Sequence, residues 1–190
     1  FWVSATEVTE AQYGLCVKGN ACAPLQPCES QGAPSRGPQP TSRLPVRCVS
    51  WYEARRFAQW AGAELPSEAE WARVAALSYG TTSALSRERL ERVAWFGAHQ
   101  LNTPQHVALK PASELGVYDL LGNVWEWTRD LYAPYDAPPE AMSSPPSTDE
   151  LAAWPRVARG GGWRSERLES LRLSNRLSLS PHTRRLDVGL

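Results

Sequence analysis

The chain has 190 residues, of which 42% are hydrophobic and 9 are tryptophan, enough for one domain with a sizeable core and too few for two ordinary domains. Lysine plus arginine and aspartate plus glutamate balance at 20 each, so no net charge attracts the protein to nucleic acid or to an anionic membrane. No stretch approaches the roughly 20 consecutive apolar residues of a membrane span, and we predict one domain over residues 1–190 without a span in this segment.

The N-terminal segment predicts a strand followed by a short helix and a loop. Residues 1–9, FWVSATEVT, alternate apolar and polar side chains as a strand does. From residue 7 onward, apolar residues recur at helical spacing as far as Gly19, where we expect the helix to end. Residues 20–47 are rich in Pro, Gly, Ser and Gln and have no period, so they predict a loop.

All four cysteines lie in the first quarter of the sequence, at Cys16, Cys22, Cys28 and Cys48. Five residues separate each of the first three, whereas paired zinc ligands usually lie two to four residues apart. An even number of clustered cysteines beside such a loop favours two disulfides, and hence a secreted or periplasmic protein. Free buried thiols and an unusual metal site are the alternatives, and three disulfide pairings are open.

Two helices follow, each with a capping box at its start. Ser50 and Glu53 have the spacing of such a box before a helix that we expect to end at Gly62, and Ser67 and Glu70 repeat it. Residues 82–93 are also compatible with a helix. From residue 94 the sequence breaks into short apolar pieces, with a Pro-rich loop over 133–150, so we predict an α+β fold with early helices, short late strands and long structured loops.

The sequence lacks the motifs of several common sites. It contains no phosphate-binding G-x-x-x-x-G-K-[ST], no H-E-x-x-H of helical zinc proteases and no G-x-S-x-G of α/β-hydrolases. The three histidines, at His99, His106 and His182, lie outside any metal-ligand spacing. We interpret them as surface or loop residues.

Five segments together carry a resemblance to a known family. They are EVTEAQY (7–13), PVRCVSWYEARRFAQWAG (45–62), LPSEAEWA (65–72), GVYDLLGNVWEWTRDLY (116–132) and RVARGGGW (156–163). In this order and spacing the chain resembles the formylglycine-generating enzyme, or sulfatase-modifying factor, family. The resemblance implies an irregular, C-type-lectin-like α+β domain with at least one of Trp125 and Trp127 in the core. It also implies that a strand which usually precedes EVT is missing.

The same resemblance implies one calcium site. Its ligands would be the side chains of Asp119 and Glu126 and the main-chain carbonyls of Gly122 and Val124. This set suits calcium, which binds six to eight oxygen ligands and prefers carboxylates among them. The alternative is that both carboxylates cap turns or pair with arginines. A second family site needs an asparagine where this chain has His99, so we expect that site to be absent or altered and predict a single ion. The alternative is a shifted loop that brings Asn102 near the second site.

The resemblance also places a copper site, which this sequence has lost. Active family members oxidise a substrate cysteine with O2 and a copper ion held by two thiolates that follow R-G-G. The matching positions here are Ser165 and Ser170, and a neutral hydroxyl does not replace a thiolate toward Cu(I). His182 is the only histidine in the C-terminal third and has no evident partner to make it a base for a serine. We therefore expect no copper and assign no catalytic residue.

These observations predict a non-catalytic binding module for a protein, peptide or carbohydrate ligand. The predicted ligand-binding residues are Trp125, Trp163, Arg164, Ser165, Glu166, Arg167 and Ser170. In a sharper form of this hypothesis, a retroelement diversifies residues 159–185. One alternative is an oxidoreductase of the formylglycine-generating type whose metal is held by other residues or by a partner. Another is an extracytoplasmic sensory domain of a larger protein.

Overall fold

Helices precede strands along the chain. The structure, a computed structural model, describes residues 1–26, 28, 42–80, 85–135 and 153–190. The helices in these residues are α1 (Glu10–Lys18), α2 (Trp51–Trp60), α3 (Glu68–Tyr79) and α4 (Arg87–Val93), with short 3-10 turns at Gly97–His99 and Leu168–Leu171. The strands are β1 (Trp125–Leu131), β2 (Arg156–Arg159), β3 (Leu177–Leu179) and β4 (Val188–Gly189). This order confirms the predicted α+β class.

The first three helices each begin at a capping box. The two predicted boxes are present: in the first, Glu53 accepts a hydrogen bond of 2.7 Å from the Ser50 N–H, and the Ser50 hydroxyl accepts one of 3.3 Å from the Glu53 N–H. The third box, Thr9 with Gln12 at the start of α1, was not predicted. Gly62 follows α2 with a φ of 75°, as expected of the residue that ends a helix.

The predicted N-terminal strand is wrong. Residues 1–8 form no strand, and Thr9 makes a single bridge to Pro45. Instead, the Val8 N–H donates to the carbonyl of Leu190, and the carbonyl of Val8 accepts from the Val46 N–H, each at 2.7 Å. The segment lies between two different neighbours, and its first three apolar side chains are exposed, so alternation alone did not create a ladder.

Two other predictions are only partly covered by the described residues. The helix predicted over 82–93 begins at Arg87, after a Ser86 cap, and residues 81–84 lie outside the described part of the chain. Most of the two predicted loops also lies outside it, at 27 and 29–41 and again at 136–152.

The sheet contributes side chains to one of two hydrophobic clusters, and α3, which belongs to the other, contacts β1 and β2. Its order is β3-β2-β1-β4, with β4 parallel to β1 and the other pairs antiparallel. One cluster joins α1 and α2 to Trp125 and Trp127, which are 5% and 0% exposed, as the resemblance implied. The other joins α3 and α4 to residues 117–121 and Leu171. β1 thus contributes Trp125 and Trp127 to the first cluster, and Glu126 between them accepts a hydrogen bond from Trp71 of the second.

Two disulfides fix the N-terminal third, as predicted. Cys16 pairs with Cys22, which ties the last turn of α1 to the residues after it, and Cys28 pairs with Cys48, just before α2. The pairing therefore follows sequence order. Among the described residues, no helix is both long and apolar enough to cross a bilayer.

Candidate binding cleft

The turn before β1 is built from left-handed backbone. Asp119, Gly122 and Asn123 have φ values of 54°, 82° and 52°. A Cβ at Gly122 would overlap the backbone of Trp95, so only glycine fits this approach. The Gly122 N–H donates to the carbonyl of Gly160 at 3.0 Å, which joins the turn to the R-G-G segment.

Glu7 and Asn123 form a buried polar pair beneath this turn. The Asn123 amide donates to Glu7 Oε2 at 2.6 Å, and the Val124 N–H donates to Glu7 Oε1 at 2.9 Å. Burial raises the pKa of Glu7 well above its usual value, and the charges of Asp119 and Glu126 raise it further. Sequence reasoning missed this pair, although both residues lie in the segments that carry the family resemblance.

The two carboxylates of the expected calcium site have different surroundings. Asp119 Oδ2 accepts the Ala108 N–H at 2.7 Å, whereas Asp119 Oδ1 is buried without a hydrogen-bond partner among the described residues. Glu126 Oε2 accepts the Trp71 indole N–H at 2.6 Å, and burial raises the pKa of Glu126 to about 8. Neither carboxylate forms an ion pair with a described arginine. Asp119 Oδ1 is thus an oxygen that suits a cation.

A metal centre built from side chains alone is not evident. Within the described ranges, no three His, Cys, Asp or Glu residues are grouped so as to hold a metal ion. Glu126 lines a cavity of about 590 Å³ between the N-terminal segment, α2 and α3. A calcium ion at Asp119 and Glu126 would therefore need the main-chain carbonyls of Gly122 and Val124 as well.

Arg159 of the R-G-G segment is a structural residue. Its guanidinium is 1% exposed, donates to Glu68 at 2.7 Å and to the carbonyl of Leu173, and lies 4.8 Å from the Trp71 ring centroid. Arg176 donates to the same carboxylate at 2.6 and 2.8 Å. Burial alone would raise the pKa of Glu68, but hydrogen bonds from Arg176 and Tyr135 outweigh it and hold this pKa below its usual value. This cluster joins α3, β2 and the segment before β3.

The backbone after R-G-G is held in a fixed turn. The Gly162 N–H donates to Ser165 Oγ at 3.1 Å, and the Ser165 N–H donates back to the Gly162 carbonyl at 2.8 Å. The Ser165 carbonyl accepts the Gly97 N–H at 2.9 Å, and the carbonyl of Ser170 accepts the Asn175 amide at 3.1 Å. The segment can therefore present side chains from a rigid support.

This segment borders a cleft of about 560 Å³. Six of the seven predicted ligand-binding residues line it; the full lining is Trp125, Arg164, Ser165, Glu166, Arg167, Ser170, Leu177, Arg185 and Asp187. The seventh, Trp163, does not line the cleft. Its ring is buried, its indole N–H donates to the carbonyl of Leu186 at 3.2 Å, and Arg164 lies over it at 5.6 Å.

Three lining residues were not predicted, and two of them form an ion pair. Asp187 is 3% exposed, and its two oxygens accept from Arg185 Nε at 2.9 Å and from Arg185 Nη2 at 2.8 Å. Leu177, in β3, contributes an apolar wall. These residues come from the end of the chain and from β3, so only the fold brings them to the cleft.

No thiol faces the cleft. Ser165 and Ser170, at the positions expected for the copper ligands, both line it, and all four cysteines are in disulfides. Ser165 is 8% exposed and is engaged with Gly162, whereas the hydroxyl of Ser170 makes no hydrogen bond to a described residue.

The sequence of this chain is similar to a known domain family and to several known proteins. The sequence model of the family of sulfatase-modifying factor enzyme 1-like domains matches residues 1–190. The chain is 36% identical over 151 residues to the serine/threonine-protein kinase Pkn1 of Chlamydia trachomatis serovar L2, covering 74% of this chain and 22% of the kinase. It is 34% identical over 115 residues to the inactive C-alpha-formylglycine-generating enzyme 2 of Mus musculus, covering 53% of this chain and 37% of that protein.

A solved structure agrees with the fold. The Treponema denticola variable protein 1 superimposes with a TM-score of 0.67 at 23% identity, over 96% of this chain and 80% of that one. The chain spans between about a fifth and two fifths of the length of these two curated relatives. The match over the whole chain shows that the protein belongs to the family of sulfatase-modifying factor enzyme 1-like domains and has its C-type-lectin-like fold.

Proposed function

We propose that the domain is a non-catalytic binding module whose ligand occupies the cleft beside the R-G-G segment. The observation that carries this proposal is the lining of the cleft: two serine hydroxyls stand where the resemblance implies copper thiolates, and exposed charged side chains surround them. Such a lining can bind and orient a polar ligand, but it holds no soft ligand for Cu(I). One relative of the same family is named as inactive, which supports the loss of chemistry.

Blocking the cleft tests where the ligand binds. Ser170 lines the cleft and makes no side-chain hydrogen bond to a described residue, so Ser170→Trp should fill the space without unfolding the domain. The matched control is Ser174→Trp, at an exposed position outside the lining. Ligands selected from peptide and glycan arrays should lose binding in the first variant and keep it in the control. Equal binding by both variants would remove the cleft from the proposal.

Copper titration tests whether the domain lacks the copper site that the oxidation reaction needs. We expect the protein to bind no stoichiometric Cu(I) under competition with a chelator. The double variant Ser165→Cys, Ser170→Cys places two thiols in the same cleft and should gain one tight Cu(I) site. Stoichiometric copper or iron in the unmodified protein would instead favour the alternative of an oxidoreductase.

We also propose one structural calcium ion, held by Asp119 and Glu126 with the carbonyls of Gly122 and Val124. The buried oxygen of Asp119 that lacks a partner supports this proposal. Calcium at about 100 times its Kd should stabilise the fold by about 2.7 kcal/mol, or raise Tm by about 5–10 °C. Asp119→Asn should abolish this response, whereas Glu88→Gln, on the exposed side of α4, should retain it. An unchanged Tm on adding calcium to the unmodified protein would contradict the proposal.

The two disulfides support a secreted or periplasmic location for the domain. Since the matched segment is a fifth of the kinase that it resembles, the module could serve as a sensory part of a longer protein. Thiol titration of the denatured, unreduced protein isolated from its native source tests the location. We expect no free thiol, and four free thiols would contradict an oxidising compartment.

A further inference from the structure

The cleft carries more positive than negative charge. Three arginines, Arg164, Arg167 and Arg185, line it against two carboxylates, Glu166 and Asp187. The whole chain is neutral, so this local excess is a property of the site and not of the protein surface at large. An excess of guanidinium groups favours an anionic ligand.

Two of these guanidinium groups make no hydrogen bond or ion pair to a described residue. Arg167 is exposed, and among the described residues its side chain has neither a hydrogen bond nor an ion pair. Arg164 is exposed as well, and among the described residues its guanidinium has no hydrogen bond or ion pair and lies over the ring of Trp163. The N–H groups of both are therefore available to a ligand without loss of an existing hydrogen bond.

The third guanidinium is oriented in advance. The buried carboxylate of Asp187 accepts from Nε and Nη2 of Arg185, which fixes the plane of the group. The Nη1 group has no partner among the described residues. An arginine held in this way can donate its remaining N–H groups to a carboxylate at little entropic cost.

The acceptors of the cleft are fewer than its donors. The carboxylate of Asp187 is occupied by Arg185, so Glu166 is the acidic lining residue left without a described partner. Ser170 adds a hydroxyl that can donate. Glu166 suits a single ligand donor, such as a peptide N–H, beside the anionic group.

The aromatic residues favour a peptide over a sugar. Trp125 and Trp163 are 5% and 7% exposed, so neither presents a ring face on which the apolar side of a sugar could stack. The apolar surface that remains, at Leu177, suits an aliphatic side chain.

We propose that the cleft recognises a carboxylate of an acidic peptide segment, with Arg185 as the oriented donor and Arg164 and Arg167 as flanking donors. This inference rests on the proposed binding function of the same cleft and names its ligand class.

Paired peptide mixtures test the inference. The probes are randomised tetrapeptides blocked at both ends that contain one Glu, the same mixture with Gln in its place, and a uronate-containing disaccharide. Binding is followed by chemical shifts of the Gly162 and Ser165 amides. The Glu mixture should shift them and the Gln mixture should not. Arg167→Gln should weaken the response about tenfold, whereas Arg92→Gln, exposed on α4 and outside the cleft, should have no effect.

The other outcomes separate this inference from the function on which it rests. Equal binding of the Glu and Gln mixtures at the cleft would show that the cleft does not recognise a carboxylate, while the domain would still be a binding module. Binding of the disaccharide but of neither peptide mixture would show that the ligand is an acidic glycan and not a peptide. If none of the three probes shifts the cleft amides, the inference is wrong, and the Ser170→Trp array experiment decides the binding function by itself. Arg164→Gln gives a second test that leaves the Arg185 ion pair intact.

Discussion

The turn at residues 116–124 is hydrogen-bonded to the R-G-G segment and the cleft segment at 162–170 directly follows it, yet the side chains of these two regions have different roles. In the turn, Asn123 and the Val124 N–H form buried hydrogen bonds with the carboxylate of Glu7, and Gly122 lies against the backbone of Trp95. In the cleft segment the backbone is equally fixed, but Arg167 and the hydroxyl of Ser170 have no described partner.

This difference separates residues that specify the fold from residues that are free to vary. A substitution at Gly122 or Asn123 must break a contact on which folding depends. A substitution at an uncommitted cleft side chain removes no contact from the folded state. We expect stability to report on the first region and binding to report on the second.

Gly122→Ala should have the largest effect. The residue has a φ of 82°, and its new Cβ would overlap the backbone of Trp95, which no side-chain movement can relieve. We expect a loss of more than about 3 kcal/mol in the free energy of unfolding, or failure to fold. Urea denaturation measures it.

Gly116→Ala is the matched control. Gly116 has a φ of 75°, but nothing lies within 4 Å of the position of its Cβ. Only the backbone strain should remain, at about 1 kcal/mol. Equal losses in the two variants would show that the packing of Gly122 against Trp95 contributes little.

Glu68→Gln should have the next largest effect. It leaves Arg159, which is 1% exposed, and Arg176 without their shared carboxylate. Removing one partner of such a buried pair costs about 3 kcal/mol at neutral pH. Glu91→Gln, in the exposed Arg87–Glu91 pair, should cost less than about 0.5 kcal/mol.

The effect of Glu68→Gln should depend on pH. The pKa of Glu68 in the folded protein lies below its usual value of 4.5, so the ionised group stabilises the fold above that pH. As the pH falls through the lower, folded-state pKa, the carboxylate is protonated and its contribution is lost. The stability difference between the two proteins should therefore shrink below about pH 4.5. A difference that stays constant down to pH 2 would show that the charge of Glu68 is not its cause.

Local patterns predicted the parts of the fold whose cause is local. Ser50 with Glu53 and Ser67 with Glu70 marked helix starts because a capping box is complete within four residues. The strand predicted over 1–9 was wrong because its hydrogen-bond partners, at Val46 and Leu190, are distant in sequence and belong to no common ladder.

For the candidate site too, the sequence predicted the residues that are close together in the chain and missed those that only the fold brings together. Arg164, Ser165, Glu166, Arg167 and Ser170 are neighbours in sequence, and the resemblance indicated them together. Arg185 and Asp187 reach the cleft through the packing of the chain end beside β1, and no spacing predicts this. Trp163 lies within the same segment and was predicted with it, but its ring is buried and does not line the cleft.

The smallest changes in stability should come from the two serines of the cleft. Both line the cleft, but their hydroxyls differ in whether they form a hydrogen bond within the fold. Ser165 Oγ accepts the buried Gly162 N–H, so Ser165→Ala should cost about 1 kcal/mol. Ser170 Oγ has no described partner, so Ser170→Ala should change stability by less than about 0.5 kcal/mol. Thermal unfolding of both variants measures the contrast. If Ser170→Ala destabilises the protein as much as Ser165→Ala does, the Ser170 hydroxyl contributes to the stability of the fold. Cleft side chains without a described partner could then not be substituted without loss of stability.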